Sequence, residues 1–249
     1  MILKRILFLL LGVFLIGCSN GRKVEGVDVA TVYTDTTYQE LLAASARRDV
    51  QLIETLLLEQ KLDPNKVGKN GITPLIWAIK AENYNSIETL LKLGANPNQK
   101  RAGYSGAAVT FLSRVNQPKL LELVLKNGGN PNSVDGAKSA LTLAFFLRYK
   151  KNAELLLKYG AVFSYVTEGG NKRNVVFDCY AVGNFECILY LLELGAEHTV
   201  ETSVFSGNIL SLLLKTEGRL IKESKQYHTI QEIKQLIENR QRKSKNTYH

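Results

Sequence analysis

Three cysteines and three histidines are the side chains best able to do covalent or metal chemistry, and they are few and dispersed. Cys18 stands near the amino terminus, whereas Cys179 and Cys187 lie close to each other far downstream. A thiolate can form a thioether, a disulfide or a bond to a metal. Because the number of cysteines is odd, at least one has no disulfide partner within the chain.

No other grouping of residues indicates catalysis. His198, His228 and His249 lie late in the chain and lack the clustered spacing of zinc ligands. A Gly-rich phosphate loop is missing, and the segment 103–106 is one residue short of the nucleophile motif G-x-S-x-G. The sequence therefore predicts no enzyme activity, no cofactor and no metal.

Positive charge is in excess, with a formal net charge of +9. Removal of Lys4 and Arg5 with a leader would lower this value by two, to +7. The excess favours an acidic protein face, anionic lipid or nucleic acid as partner, or it serves solubility alone. We expect a protein and a membrane, and not nucleic acid, to be the partners.

Residues 1–17 have the pattern of an export signal. Lys4 and Arg5 precede an apolar run, Ile6–Ile16, which is too short to cross a hydrocarbon core of about 30 Å. The run ends in Leu15-Ile16-Gly17-Cys18, which resembles the lipobox of bacterial lipoproteins. The resemblance implies that the Cys18 thiol receives a diacylglyceryl group, that the signal is cut before it, and that acyl chains such as palmitate anchor the protein.

The residues after Cys18 predict where and how the anchor holds the protein. Ser19 stands where enterobacterial lipoproteins retained in the inner membrane commonly have Asp, so the resemblance implies a periplasm-facing protein of the outer membrane. Residues 18–37 are polar, contain Gly and Thr, and lack a helical period. We expect them to form a lipidated, flexible tether of about 25 Å.

Residues 38–203 repeat themselves at a spacing typical of a helical solenoid. The best copy, Asn70 to Asn98, reads NGITPLIWAIKAENYNSIETLLKLGANPN and resembles the ankyrin repeat. Thr73 is expected to cap the first helix of this copy, Pro74 to occupy its first turn, and Gly94 to end the second helix. The fold class predicted is an all-α solenoid of about five ankyrin repeats.

Two repeats depart from the family pattern. The third reads Ala107-Ala108-Val109-Thr110 where Thr-Pro-Leu-His is usual, and the fifth places Asp178 at a usually apolar position. The loop between Tyr165 and Asn174 is rich in Gly and charge, so we expect it to be long or mobile. These departures indicate either a local distortion of the solenoid or a specialised surface.

The carboxyl-terminal residues predict a cap and a tail. Residues 204–239 contain an apolar stripe of Ile230, Ile233 and Ile237, which is typical of capping helices. Residues 240–249 form a basic tail, which is either solvated or in contact with anionic lipid or an acidic partner.

Cys179 and Cys187 fall on the two helices of the fifth repeat. Both positions usually hold small or apolar core residues, so buried thiols are one interpretation. A disulfide is the other, since the periplasm is oxidising and paired helices bring such positions close. The sequence leaves both alternatives open.

The ankyrin resemblance implies that hairpin tips and first helices form a surface that binds another protein. Trp77 lies one step from this surface and is expected in the core. Tyr, Trp and Arg are the better candidates for contact because they dominate binding energies. Carried over in register, the partner-binding residues are Lys69, Asn70, Lys80, Tyr104, Arg114, Lys138, Phe146 and Arg173.

An ankyrin module behind a lipobox is an informative combination. It resembles periplasmic immunity proteins that neutralise phospholipase effectors of the type VI secretion system. The resemblance implies a phospholipase toxin as the protein partner. The alternative function is an envelope scaffold or adaptor that binds a resident protein.

Overall fold

The computed structural model describes residues 21–100 and 106–246, and side chains up to residue 243. A hairpin of β1 (Lys23–Val24) and β2 (Val27–Asp28) and a short helix, α1 (Val29–Val32), open the described chain. Helix pairs follow, and consecutive pairs pack against each other. This is the all-α solenoid that the repeats predict.

Each helix pair is one layer of the solenoid. The pairs are α2 (Thr36–Arg47) with α3 (Val50–Glu54, continued by a π-helical turn Thr55–Glu59), α4 (Pro74–Lys80) with α5 (Tyr84–Lys92), α6 (Ala108–Ser113) with α7 (Pro118–Lys126), α8 (Ala140–Phe146) with α9 (Lys150–Lys158), α10 (Val175–Ala181) with α11 (Phe185–Glu193), and α12 (Ile209–Glu217) with α13 (Lys225–Asn246).

Two-stranded antiparallel hairpins connect the later layers. They are β3 (Val134–Asp135) with β4 (Lys138–Ser139), β5 (Ser164–Val166) with β6 (Lys172–Asn174), and β7 (Thr199–Glu201) with β8 (Ser206–Asn208). The loop expected to be long or mobile between Tyr165 and Asn174 is therefore mostly hairpin, and the ring of Tyr165 is buried. This corrects the prediction: a buried tyrosine fixes the strand that carries it.

The second repeat forms its helices for the reasons that its sequence indicates. The Thr73 side chain accepts a hydrogen bond from the Ile76 amide at 3.2 Å, and Pro74 occupies the first turn of α4. Gly94 follows α5 with a φ of +94°, a left-handed conformation that costs glycine nothing. Trp77 is fully buried. These local predictions are confirmed.

A ladder of asparagines joins the layers from the first repeat to the fourth. The side-chain NH₂ of Asn98 donates to the Gly128 carbonyl at 2.8 Å, and the side-chain oxygen of Asn98 accepts from the backbone N–H of Asn130 at 2.7 Å. Asn65 and Asn132 make the equivalent pairs of bonds one layer before and one layer after. Each asparagine satisfies the orphan groups at the end of the following layer's second helix.

The segment expected to be a flexible tether is structured from Gly21 onward. Val24, Val29 and Val32 are buried in the core, and the Tyr33 hydroxyl donates to the Lys66 carbonyl at 2.6 Å. This corrects the predicted tether of residues 18–37. The valines that the sequence places among polar residues cover the open end of the first helix pair, because an unstacked layer would leave its apolar face in water.

The capping helices are confirmed in position, and the basic tail is shorter than predicted. Ile230, Ile233 and Ile237 are fully buried on α13. That helix continues to Asn246, and Arg240 donates to the Ala196 carbonyl at 3.0 Å and to the Leu192 carbonyl. Arg240 therefore caps the end of α11, where a cation complements the helix dipole.

Within residues 21–100 and 106–246, no helix is both long enough and apolar enough to cross a membrane. The predicted export signal and Cys18 lie outside the described residues.

Candidate protein-binding surface

Hairpin tips and the ends of the first helices lie on one side of the solenoid and are tied to each other by ion pairs. Glu25, at the tip of the β1–β2 hairpin, pairs with Lys80 at the end of α4. Asp135, on β3, pairs with Arg114, which follows α6. We call the side defined by these contacts the tip surface.

Lys80 and Arg114 were predicted to touch a partner, and both are engaged within the chain. The Lys80 side chain is only 16% exposed, and its ammonium lies 5.5 Å from the centre of the Phe111 ring. Arg114 keeps 40% of its side chain exposed beside a carboxylate that is 12% exposed. Arg114 is thus held in place yet still accessible to a partner.

Lys138 and Phe146 are brought together, as a shared surface requires. The Lys138 ammonium lies 4.8 Å from the centre of the half-buried Phe146 ring. A cation above an aromatic face is attracted by the ring quadrupole. Together they present an aromatic ring beside a positive charge, which a partner protein can contact.

Lys69 and Asn70 lie on a short 3₁₀ turn, Lys69–Gly71, and both are exposed. Asn70 has a φ of +59°, a left-handed conformation that asparagine tolerates better than most residues. Tyr104 lies outside the described residues.

Arg173 is anchored by a buried carboxylate. Asp178, fully buried on α10, pairs with the Arg173 guanidinium and accepts from the Tyr165 hydroxyl at 2.6 Å. The Thr142 hydroxyl of the preceding layer donates to the same carboxylate at 3.0 Å. We call these four residues the Asp178 network. It explains why a carboxylate can occupy an apolar position: its oxygens are hydrogen-bonded and its charge is paired.

Burial shifts the ionisation of this network. Removal from water raises the pKa of Tyr165 to about 12, and the hydrogen bond to Asp178 adds to the shift. Desolvation alone would lower the pKa of Arg173, but the Asp178 charge and the hydrogen bonds to Tyr165 and Asp178 together raise it. The tyrosine is therefore neutral and the arginine charged throughout the neutral range. Arg173 Nε is buried without a hydrogen-bond partner.

An aromatic patch beside the last hairpin was missed by the sequence analysis. The Phe177 and Phe205 rings stack with their centres 5.5 Å apart, and the Tyr180 ring is 6.2 Å from Phe177. All three side chains are half-buried, and the neighbouring Val204 is 73% exposed. The register of the fifth repeat placed Phe177 and Tyr180 on α10, but only the hairpin geometry brings Phe205 onto them.

Cys179 and Cys187 form a disulfide between α10 and α11, with Cα atoms 6.0 Å apart. Both residues are buried. The bond clamps α10, which carries Phe177, Asp178 and Tyr180, to α11. A disulfide of this kind persists in oxidising compartments.

A cleft of about 500 Å³ lies between α11 and α13. Glutamates and one histidine line part of it: Glu186, Glu193, Glu223, Glu232 and His228. Lys225 pairs with Glu186 and holds the pKa of that carboxyl below its usual value. Across residues 21–100 and 106–246, no cluster of three or more His, Cys, Asp or Glu could hold a metal ion.

Comparison with known families agrees with this fold. The ankyrin-repeat family model matches residues 14–101, in three copies. That stretch is about a third of the chain. A search of curated proteins finds no match. The stacked helix pairs and the matched repeats show an all-α repeat solenoid that contains ankyrin repeats, which are protein-interaction modules.

Proposed function

We propose that this protein is a lipid-anchored ankyrin protein of the bacterial envelope that binds and neutralises a phospholipase toxin delivered by type VI secretion. It acts by binding and not by catalysis. The toxin is held on the tip surface, away from its phospholipid substrate. The proposal has three parts, which are the surface, the anchor and the partner.

The observation that carries the binding role is the organisation of the tip surface before any partner arrives. Arg114 is held by Asp135, and Arg173 by Asp178. A side chain that is already ordered loses little entropy when a partner binds, so more of the contact energy appears as affinity. The half-buried aromatic rings of Phe146, Phe177 and Phe205 add apolar area that a partner can cover.

The anchor rests on the Leu15-Ile16-Gly17-Cys18 pattern. Each buried CH₂ of an acyl chain contributes about 0.8 kcal/mol, so two or three chains would hold the protein on a membrane almost permanently. The Cys179–Cys187 disulfide agrees with an oxidising compartment such as the periplasm. Ser19 favours the outer membrane.

The phospholipase partner is the step that rests on resemblance. A toxin that attacks phospholipid must reach the bilayer, and a neutralising protein held at that bilayer meets it there. A scaffold for a resident envelope protein has no such need to meet an incoming enzyme at the lipid surface.

A competition experiment tests the role. A strain that lacks this gene is grown against its unmodified siblings and, in parallel, against siblings that lack the lipase gene that the proposal expects to lie beside it. We expect the deletion strain to be killed by the first siblings and spared by the second. Healthy deletion cells in both competitions would reject the immunity role and leave the envelope adaptor as the better account.

The anchor is tested separately. The Cys18→Ser variant should lose its lipid, detected by mass spectrometry, and leave the membrane fraction. A variant that stays membrane-bound would mean that Cys18 is not the anchor. Ser203→Ala, a serine change elsewhere in the chain, serves as the control that keeps the lipid.

A further inference from the structure

The folded part of the chain begins very close to the proposed lipid attachment. Gly21 is buried, and its φ of +68° places its backbone against the Ala43 carbonyl of α2, where a Cβ atom would not fit. The Arg22 carbonyl then accepts from the Val29 amide at 2.8 Å. The first described residues are thus fixed to the first helix pair.

The covalent chain sets a limit on how far that fold can stand from the lipid. Only Ser19 and Asn20 lie between Cys18 and Gly21, so three Cα–Cα steps join the two residues. Consecutive Cα atoms are about 3.8 Å apart, so Gly21 lies at most about 11 Å from an acylated Cys18. The headgroup layer on each side of a bilayer is itself about 6 Å thick. A protein lipidated at Cys18 therefore holds the end of its first layer at the level of the headgroups.

The end of the solenoid that this limit places at the membrane carries basic side chains. Arg22, Lys23 and Arg48 are exposed, and Arg22 donates to Gln39 on α2 at 3.2 Å. Arg47, beside Gly21, lies 3.5 Å from Asp49.

Three acids lie near these cations, and one of them is Asp28, the cross-strand partner of Lys23. Asp49 is occupied by Arg47 and by the amide of Leu52, which it caps at 3.2 Å. Glu40 is exposed on α2. Four cations against three acids leave this end with a positive charge of one, which suits anionic lipid.

We propose that this N-terminal end face, consisting of Arg22, Lys23, Arg47 and Arg48, rests on anionic phospholipid headgroups. The inference depends on the proposed lipidation of Cys18 and deepens it by fixing an orientation. The solenoid rises from the bilayer on its first layer, and the tip surface opens sideways along the membrane. A membrane-bound enzyme then meets the tip surface without leaving the lipid.

Energy transfer measures this orientation in the full, lipidated protein. A donor dye is attached at Lys23→Cys or, as the matched control, at the exposed Ile221→Cys before α13. Vesicles of phosphatidylethanolamine and phosphatidylglycerol carry the acceptor on their headgroups. Because helix layers stack at roughly 10 Å each, we expect roughly threefold or more transfer from position 23 than from position 221. Equal transfer from both positions would overturn the proposal, since the solenoid would then lie flat or sample all orientations.

Charge reversal tests which side chains make the contact. Arg22→Glu with Arg48→Glu should lower transfer from position 23 on the anionic vesicles, because each basic residue near such a surface strengthens attraction about fivefold. Lys119→Glu with Lys151→Glu, the same change on exposed lysines of α7 and α9, should leave it unchanged. Equal effects of the two pairs would reject the end face as the contact.

Failure of this inference is distinguishable from failure of the proposed function. Mass spectrometry reports whether Cys18 carries lipid before any transfer is measured. A lipidated protein without the difference between positions 23 and 221 rejects the orientation alone. A Gly-Ser linker of about nine residues inserted before Gly21 should lower transfer from position 23 in the lipidated protein. Unchanged transfer would show that the short spacer does not set the distance, and it would also reject the orientation.

Discussion

The first four layers are joined by a ladder of asparagines, whereas the fourth and fifth are joined by a buried aspartate. Asn98 bonds two backbone groups of the next layer, at 2.8 and 2.7 Å, from an exposed position. Asp178 bonds Thr142 of the preceding layer, Tyr165 and Arg173 from a fully buried position. The ladder ends because Ser164 occupies the next position in register and accepts from Asn174 in its own repeat at 2.9 Å.

The asparagine ladder and the Asp178 network differ in what they stabilise in addition to the contact between layers. The asparagine side chains bond only backbone groups, which every layer has. They therefore join the layers but hold no surface side chain in place. The Asp178 network joins the layers and also fixes a surface arginine, beside a disulfide and an aromatic patch. The fifth repeat also departs from the usual ankyrin pattern, because it places Asp178 where an apolar residue is usual. Departure from the repeat pattern therefore coincides with the part of the tip surface that is most specifically built.

Removal of the buried carboxylate should have the largest effect on stability. Asp178→Ala leaves the Arg173 guanidinium partly buried without its partner, and loss of one member of such a pair costs about 3 kcal/mol. Urea unfolding followed by circular dichroism measures the change. Glu238→Ala, which removes the acid of an exposed pair with Arg242, is the control and should cost under about 1 kcal/mol. Equal losses would show that the Asp178 network is no more than a surface ion pair.

Loss of one rung of the ladder should have an intermediate effect. Asn98→Ala removes two exposed hydrogen bonds to backbone, which together contribute about 1–2 kcal/mol. Ser164→Ala, the position where the ladder has ended, removes one bond and should cost about half as much. A costlier Ser164→Ala in the same unfolding assay would contradict the contrast between the two regions.

The pH dependence of stability should show the smallest effect. The folded pKa of Tyr165 is raised to about 12, so its contribution is complete below its ordinary value near 10 and is lost as the pH rises from there through the folded value. We expect Tyr165→Phe to flatten the fall in stability between pH 10 and pH 12. Tyr33, whose pKa burial also raises, should still produce part of that fall. If the stability of the variant and of the unmodified protein fell in parallel between pH 10 and pH 12, the pKa of Tyr165 would not be raised in the folded protein.

Local sequence signals predicted the repeats well and predicted contacts between distant segments poorly. Thr73, Pro74 and Gly94 act within a few residues of themselves, so their roles can be inferred from the pattern alone. The sequence assigns the valines from Val24 to Val32 to a tether, because they alternate with polar residues over a segment too short to show the periodicity of a helix. In the folded protein Val24, Val29 and Val32 are buried. Only the folded chain shows that they close the open end of the first layer.

The candidate site shows the same limit. Register placed Lys80, Arg114 and Arg173 on one side, but it could not show that each pairs with an acid from another element or strand. The sequence places Arg240 in a basic tail because four of the last ten residues are basic, but its bond to the Ala196 carbonyl joins residues 44 positions apart, which is more than one repeat. Pairings of this kind depend on how layers stack, which the spacing of residues along the chain does not contain.

Binding to the lipase that the proposal expects to be encoded beside this gene tests the central claim most directly. Calorimetric titration would compare the unmodified protein, the tip-surface variant Arg114→Glu with Lys138→Glu, and the control Lys119→Glu with Lys151→Glu, which makes the same charge change on exposed lysines of α7 and α9. Loss of two contacts in a hot spot costs about 3 kcal/mol or more, so the account predicts roughly a hundredfold weaker binding for the tip-surface variant and unchanged binding for the control. Undetectable binding of the unmodified protein, or equal affinities for all three proteins, would contradict it.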